Sequence, residues 1–223
     1  MVLRAGFPST LRVRSTGEAA QEKRRLRSEV LAIRDNLNGQ HRRQAAQLAA
    51  GHLSAWLDRT RHGLPVGAFI NFASEIDMSP LLAALQWRGM RVGLPVVQQK
   101  GHPLVFRRLM PFDSLAAGAF GIPAPRAGAP LIQPELFLVP FAAFDRQGFR
   151  IGYGGGFYDR TLAEARSIRG RHVLAIGYGY SAQEVPRIPR ERHDLPMDGI
   201  VTENGLGWFS SNGIGPVRQA TIA

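Results

Sequence analysis

Residues 150–160, Arg-Ile-Gly-Tyr-Gly-Gly-Gly-Phe-Tyr-Asp-Arg, place four glycines, one acid and two arginines in a single turn-sized stretch. That combination reads as a phosphate site. Gly152, Gly154, Gly155 and Gly156 lack a Cβ, so the backbone there is free to adopt positive φ and present successive N–H groups to an anion. A helix is expected over residues 157–166, which sets those N–H groups at its positive N-terminal end. Arg150 and Arg160 bracket the loop with planar, bidentate donors that suit phosphate oxygens. Asp159 does not suit an anion-only site: a carboxylate beside phosphate calls for a hard cation, Mg²⁺, to bridge the two. The plainer reading is a glycine-rich turn between strand and helix with a capping aspartate. Two common nucleotide fingerprints fail here, because Phe157 stands where a dinucleotide-binding G-x-G-x-x-G needs glycine and no Gly-Lys-Ser/Thr occurs in the stretch.

The elements that must position this loop are legible from periodicity. Leu26, Val30, Ile33 and Leu37 recur at near-helical spacing, and Ala45, Leu48, His52, Leu53, Trp56 and Leu57 repeat it after a break at Asn38-Gly39. Val66 to Asn71 reads as a buried strand. Ser79 then reads as an N-cap with Pro80 at the first helical position, and Gly89 ends that helix. Further strands are expected at 91–97, 104–109, 136–140, 173–178 and 199–202. Strands alternating with helices predict an α/β fold, a mainly parallel sheet with helices on both faces in three layers, whose ligands lie beyond the carboxyl ends of the strands. Residues 110–134, rich in proline and glycine, read as a long loop that serves as surface filler or as a lid. The expected organisation is a flexible basic tail over 1–17, one catalytic domain over 18–205 and a C-terminal tail over 206–223.

Composition narrows the function classes. The chain has 223 residues, 44% of them hydrophobic, enough for one substantial core. It contains no cysteine, which excludes disulfides, thiolate catalysis and cysteine-ligated metals. No apolar run approaches the roughly 20 residues that span a bilayer, so a soluble cytoplasmic protein is expected. The net charge of +11 favours anionic partners. Much of it is N-terminal, where Arg4, Arg12, Arg14, Lys23, Arg24, Arg25 and Arg27 face only Glu18 and Glu22. There is no basic stripe interleaved with aromatics, so small phosphates are favoured over nucleic acid, and a nucleic-acid-binding protein is the minor alternative.

Read in order, further motifs surround the loop: Lys23-x-x-Leu-Arg27, Ser74-Glu75-Ile76-Asp77, Leu94-Pro95-Val96, Phe120-Gly121-Ile122-Pro123, Val139-Pro140, Ala143-Phe144-Asp145, His193-Asp194 and Val201-Thr202-Glu203. From Lys23 to about Glu203 this series resembles the 5-formyltetrahydrofolate cyclo-ligase family, also called methenyltetrahydrofolate synthetase. The stretch Gly152–Arg160 is similar to the family's G-Y-G-G-G-Y-Y-D-R loop at every position but Phe157. The resemblance implies an NagB/RpiA/CoA-transferase-like fold, a monomer without nucleic-acid or membrane partners, and an ATP- and Mg²⁺-dependent ring closure. In that reaction 5-formyltetrahydrofolate and ATP give 5,10-methenyltetrahydrofolate, ADP and phosphate. A small-molecule kinase using the same loop is the alternative.

Residue by residue, the resemblance implies ATP contacts at Lys23, Arg27, Arg150, Gly152, Gly154, Gly155, Gly156, Phe157 and Tyr158, with catalytic parts for Arg150, Tyr158 and Arg160. It implies substrate contacts at Ile70, Glu75, Tyr153, Gly154, Gly155, Gly156 and Phe157, and metal ligation by Asp159 and Asp194. By pattern alone Lys23 and Arg27, one helical turn apart, read as a solvated basic helix end, Glu75 as a loop acid and Asp194 as a turn residue. Phe157 replaces a tyrosine common in the family and Ala124 a glutamate, which removes a hydroxyl and an acid from the implied site.

Overall fold

Short apolar runs and amphipathic helices alternate along the chain, and in a computed structural model describing residues 16–60, 63–111, 113–210 and 213–215 they assemble around a nine-stranded sheet. The helices are α1 (Thr16–Asp35), α2 (Gly39–Thr60), α3 (Ser79–Trp87) and α4 (Phe157–Ser167). The strands are β1 (Val66–Gly67), β2 (Val92–Val96), β3 (Val105–Leu109), β4 (Ala116–Ala117), β5 (Pro123–Ala124), β6 (Leu131–Ile132) and β7 (Leu136–Val139). They continue with β8 (Ala143–Phe144), β9 (Arg150–Ile151), β10 (Leu174–Tyr178), β11 (Gly199–Thr202), β12 (Gly205–Ser210) and β13 (Gly213–Gly215).

The sheet order is β13-β12-β11-β10-β7-β1-β2-β3-β6. Its centre, from β11 through β10, β7 and β1 to β2, is parallel. Antiparallel strands close both edges, β12 and β13 on one side, β3 and β6 on the other. Successive residues of a strand face opposite sides, and β7 makes this visible. Leu136 and Leu138 enter the cluster formed with α2 and α3, whereas Phe137 and Val139 pack with Leu162 and Ala165 of α4. Burial on both faces explains why β7 is an uninterrupted apolar run. Helices therefore cover both faces, in three layers.

Several expectations require correction. The segment 206–223 is not all tail: β12 pairs with β11 over Gly205–Trp208, Leu206 is buried, and Trp208 lies 5.3 Å from Trp56 between ring centroids. The turn at Glu203–Asn204 folds the chain back, and β13 pairs with β12 out to Gly215. At the other end α1 already includes Thr16 and Gly17, and the remainder of the expected basic tail lies outside the described residues. Ser79 is the first helical residue rather than the cap. Met78 holds the cap position without a side-chain bond, and Asp77 Oδ1 accepts from the Ser79 N–H at 2.9 Å. Gly89 ends the helix as expected, at φ 67°. The strand expected over 66–71 pairs only at Val66 and Gly67, after which the chain leaves the ladder to build the 71–78 loop. The 110–134 stretch has structure of its own, a β4–β5 ribbon and the edge strand β6.

Candidate functional site

The glycine loop leaves β9 and enters α4, at the carboxyl-end side of the parallel strands. Gly154 and Gly156 have φ of 93° and 61°, values open to glycine and costly for other residues. Gly156 occupies the cap position of α4 and no side chain caps the helix. The loop's carbonyls are held from outside: Arg27 Nε donates to Gly152 O at 2.7 Å and Arg160 Nη2 to Gly155 O. Both guanidinium groups thus sit against the loop, and the Arg160 guanidinium also lies 5.4 Å from the centre of the Phe157 ring. Phe120, from the 110–134 stretch, meets the same ring edge-on at 6.2 Å. That contact ties the long loop to the glycine loop.

Arg150 does not bracket the loop from outside. Its side chain is 4% exposed, with Nη2 donating to Asp159 Oδ1 at 2.9 Å and Nη1 to Leu195 O at 2.9 Å. Burial pushes this guanidinium below its ordinary pKa, and the nearby Asp159 and Asp194 charges oppose that shift. Arg150 therefore fixes the carboxylate from beneath. Leu195 N–H reaches the same Asp159 oxygen at 3.3 Å.

Helix α1 brings a second cation. Lys23 Nζ lies 2.7 Å from Glu191 Oε2 and 2.5 Å from Asp194 Oδ2. Burial alone lowers the lysine's pKa, but the hydrogen bonds and charges of Asp194 and Glu191 outweigh it, so Lys23 is held above its usual value and stays charged. Glu191, His193 and Asp194 form a group whose donor atoms lie within 4.8 Å of one another. Asp159 is outside that group; its charge and that of Asp194 meet through Arg150. Carboxylate oxygens are the donors a hard divalent ion takes, so the chemistry of this corner fits Mg²⁺. A cation already occupies two of them, in the form of the Lys23 ammonium.

The 71–78 loop supplies the other side. Glu75 is buried, Phe72 N–H donates to its Oε2 at 2.8 Å, and burial raises its pKa above the usual carboxylate value despite stabilisation by Tyr153, that N–H and Arg34. Tyr153 accepts at its hydroxyl from Arg34 Nη1 at 2.8 Å, while Arg34 Nε donates to Ser74 Oγ at 2.9 Å. Ser74 in turn bonds Asp35. Arg34 is 2% exposed, whereas its neighbour Ile33, counted in the expected apolar face, is 52% exposed. Helix α1 turns a charged residue inward because the loop offers it polar partners. Ile70 is half-buried beside the α2–α3 cluster, at the foot of this loop. Tyr158 is half-buried, and its hydroxyl is buried with no hydrogen-bond partner among the described residues. Burial and the Glu75 charge keep it protonated, opposed by Arg150.

The expected residues thus converge at one end of the sheet, with Arg150 recast as a support. Arg34 and Glu191 were not anticipated. Glu191 had a signal in its place three residues before Asp194; Arg34 had none, since a lone arginine on a basic helix reads as solvated.

The profile of the 5-formyltetrahydrofolate cyclo-ligase family matches residues 19–203. The chain belongs to this family. A 5-formyltetrahydrofolate cyclo-ligase of Haemophilus influenzae is 31% identical over 186 residues, covering 81% of this chain and 97% of the relative. One from Escherichia coli K12 is 35% identical over 146 residues, covering 61% and 76%. The solved structure of Aquifex aeolicus 5,10-methenyltetrahydrofolate synthetase superposes with a TM-score of 0.68 at 28% identity, covering 89% of this chain and 98% of that one. The family match begins within α1 and ends at the β11–β12 turn, so it includes every site residue described above.

Proposed function

We propose that this chain converts 5-formyltetrahydrofolate and ATP into 5,10-methenyltetrahydrofolate, ADP and phosphate. The N-formyl oxygen is a poor leaving group. In the proposed first step it attacks the γ-phosphorus of ATP, the bond to ADP breaks, and the formyl oxygen becomes a phosphate ester. Folate N10 then attacks the activated carbon, the carbon–oxygen bond breaks with departure of phosphate, and N10 releases its proton as the ring closes.

Phosphoryl transfer is catalysed by positioning and by neutralising charge on the phosphoryl oxygens. The uncapped start of α4, the Gly152–Gly156 backbone and the guanidinium of Arg27 supply those groups. Arg160 orders the loop, and Lys23 is the further phosphate contact once it leaves its carboxylates. Asp194 and Asp159, with Glu191 at hand, would hold Mg²⁺, which when bound neutralises phosphate charge. Glu75 presents a carboxylate to the N–H donors of a pterin ring, beside Ile70 and under Tyr153, with Phe157 as a stacking face. The unpaired Tyr158 hydroxyl is a donor for a substrate oxygen. We assign the sheet to the NagB/RpiA/CoA-transferase-like group and place the enzyme in the cytoplasm as a monomer acting on small molecules.

The observation that carries this reading is the meeting of Lys23, Arg27, Glu75 and the glycine loop at one end of the sheet in a member of this family. Incubation with ATP, Mg²⁺ and 5-formyltetrahydrofolate tests it through the near-ultraviolet absorbance of the methenyl product. Absence of that band, or accumulation of a phosphorylated folate in its place, rejects the reading.

A further inference from the structure

A second concave surface lies at the opposite end of the parallel strands, a cavity of about 640 Å³. Arg91 enters it just before β2, Arg108 from the end of β3, and Arg169, Arg171 and His172 from the connection between α4 and β10. The one carboxylate in its lining among the described residues is Glu135, before β7. No ion pair joins Arg91, Arg108, Arg169 or Arg171 to a carboxylate among the described residues. Elsewhere Arg25, Arg88, Arg146 and Arg166 each pair with an acid, so local neutralisation of this kind occurs in the fold but not around this hollow.

Four guanidinium groups around one hollow repel one another, and a cavity concentrates their field. Arg171 is anchored there, donating from Nη2 to Pro134 O at 2.6 Å, so part of the positive rim is held by the backbone. The volume falls in the range of small-molecule sites, roughly 300 to 1,000 Å³. Planar guanidinium forks match the oxygen pairs of oxyanions, and Glu135 adds an acceptor for a hydroxyl or amine on the same molecule.

We propose that this cavity is a binding site for a small phosphorylated molecule, distinct from the glycine loop. The two regions are joined by α4, whose first residues border the loop and whose C-terminal connection carries Arg169 to His172. Eleven residues of α-helix separate them by about 16 Å along the axis. An anion at the far end thus sits at the other terminus of the element that presents the phosphate loop.

The test is calorimetric titration of the full chain with inorganic pyrophosphate, with citrate as the carboxylate counterpart. The proposal expects a saturable site, one per chain, that survives in Arg27→Ala, weakens at least tenfold in Arg91→Ala/Arg108→Ala, and falls several-fold in the exposed single variant Arg169→Ala. Melting temperatures of the variants report whether the fold is retained, and Arg169→Ala keeps the test valid if the double variant unfolds. Binding lost in Arg27→Ala and kept in the cavity variants assigns the anion to the glycine loop alone and overturns the proposal. Weak, non-saturating heat identical in all variants marks a merely basic surface, with the same consequence. Citrate binding as tight as pyrophosphate overturns the assignment to phosphate.

Discussion

Lys23 Nζ lies 2.5 Å from Asp194 Oδ2, so an ammonium from the first helix neutralises a carboxylate expected to face a metal ion. Glu191 shares the same ammonium at 2.7 Å. One cation on two acids leaves a net negative charge, but the ammonium already sits on the oxygens a divalent ion would take, so the ion's entry there requires the lysine to move away. The nucleotide phosphates give it somewhere to go.

Replacing Lys23 by Met should therefore tighten Mn²⁺ binding in the absence of nucleotide by about tenfold, equivalent to roughly 1.4 kcal/mol, while raising the KM for ATP. Manganese paramagnetic resonance measures the first and steady-state kinetics the second. Unchanged Mn²⁺ affinity would show that the lysine does not compete with the metal.

Within the glycine loop the three positions should respond differently to alanine. Gly154→Ala and Gly156→Ala force a side chain into the left-handed region and should each cost about 1–2 kcal/mol in urea unfolding. At Gly156 the added methyl also meets Arg160 Nη1 at 2.7 Å. Gly152→Ala meets nothing within 4 Å and has no positive φ, so its stability should match the wild type. Equal losses at all three positions would contradict the assigned backbone.

Tyr158 carries a buried hydroxyl without a partner among the described residues. Tyr158→Phe should leave stability unchanged or raise it by about 1 kcal/mol, because it removes an unsatisfied polar group. Turnover should fall at least tenfold. A purely structural tyrosine predicts the reverse, unaltered rates and a less stable fold.

Burial holds the Glu75 carboxyl above its ordinary pKa, so the folded protein binds that proton more readily than the unfolded chain. The resulting penalty is absent below the ordinary carboxylate pKa near 4.5 and grows as pH rises through the raised native value. Glu75→Gln lacks it. The stability of this variant relative to wild type should shift in its favour between pH 4 and pH 7, while its KM for the folate rises more than its KM for ATP. A stability difference that is flat with pH would remove the ionised, buried Glu75 from the account.

The hairpin beyond Glu203 should prove part of the domain. Trp208→Ala removes the ring packed on Trp56 and should cost about 3 kcal/mol. A chain ending at Asn204 should lose cooperative unfolding; a sharp wild-type transition would restore the shorter boundary.

Much of this was legible along the chain, for local reasons. The β7, β10 and β11 runs are apolar because both faces are covered, and α4 begins where the glycines stop. The loop's anion chemistry follows from residue types packed within eleven positions. The C-terminal hairpin was missed because β12, Gly-Leu-Gly-Trp-Phe-Ser, opens with glycines and becomes a strand only through pairing with β11. Arg34 was missed because its inward face depends on Ser74 and Tyr153, 40 and 119 residues away.

Local order settled the α/β alternation, the position of the glycine loop and the family pattern, since each depends on neighbours in the chain or on short spacings. Folding alone decided how the charges are shared. Arg150 lies under Asp159 rather than facing solvent, Lys23 bridges Glu191 and Asp194, and four arginines gather around a hollow with a single acid. Coulombic partners are chosen by distance in space, and a separation of 168 positions along the chain leaves no periodic mark of which lysine will meet which glutamate.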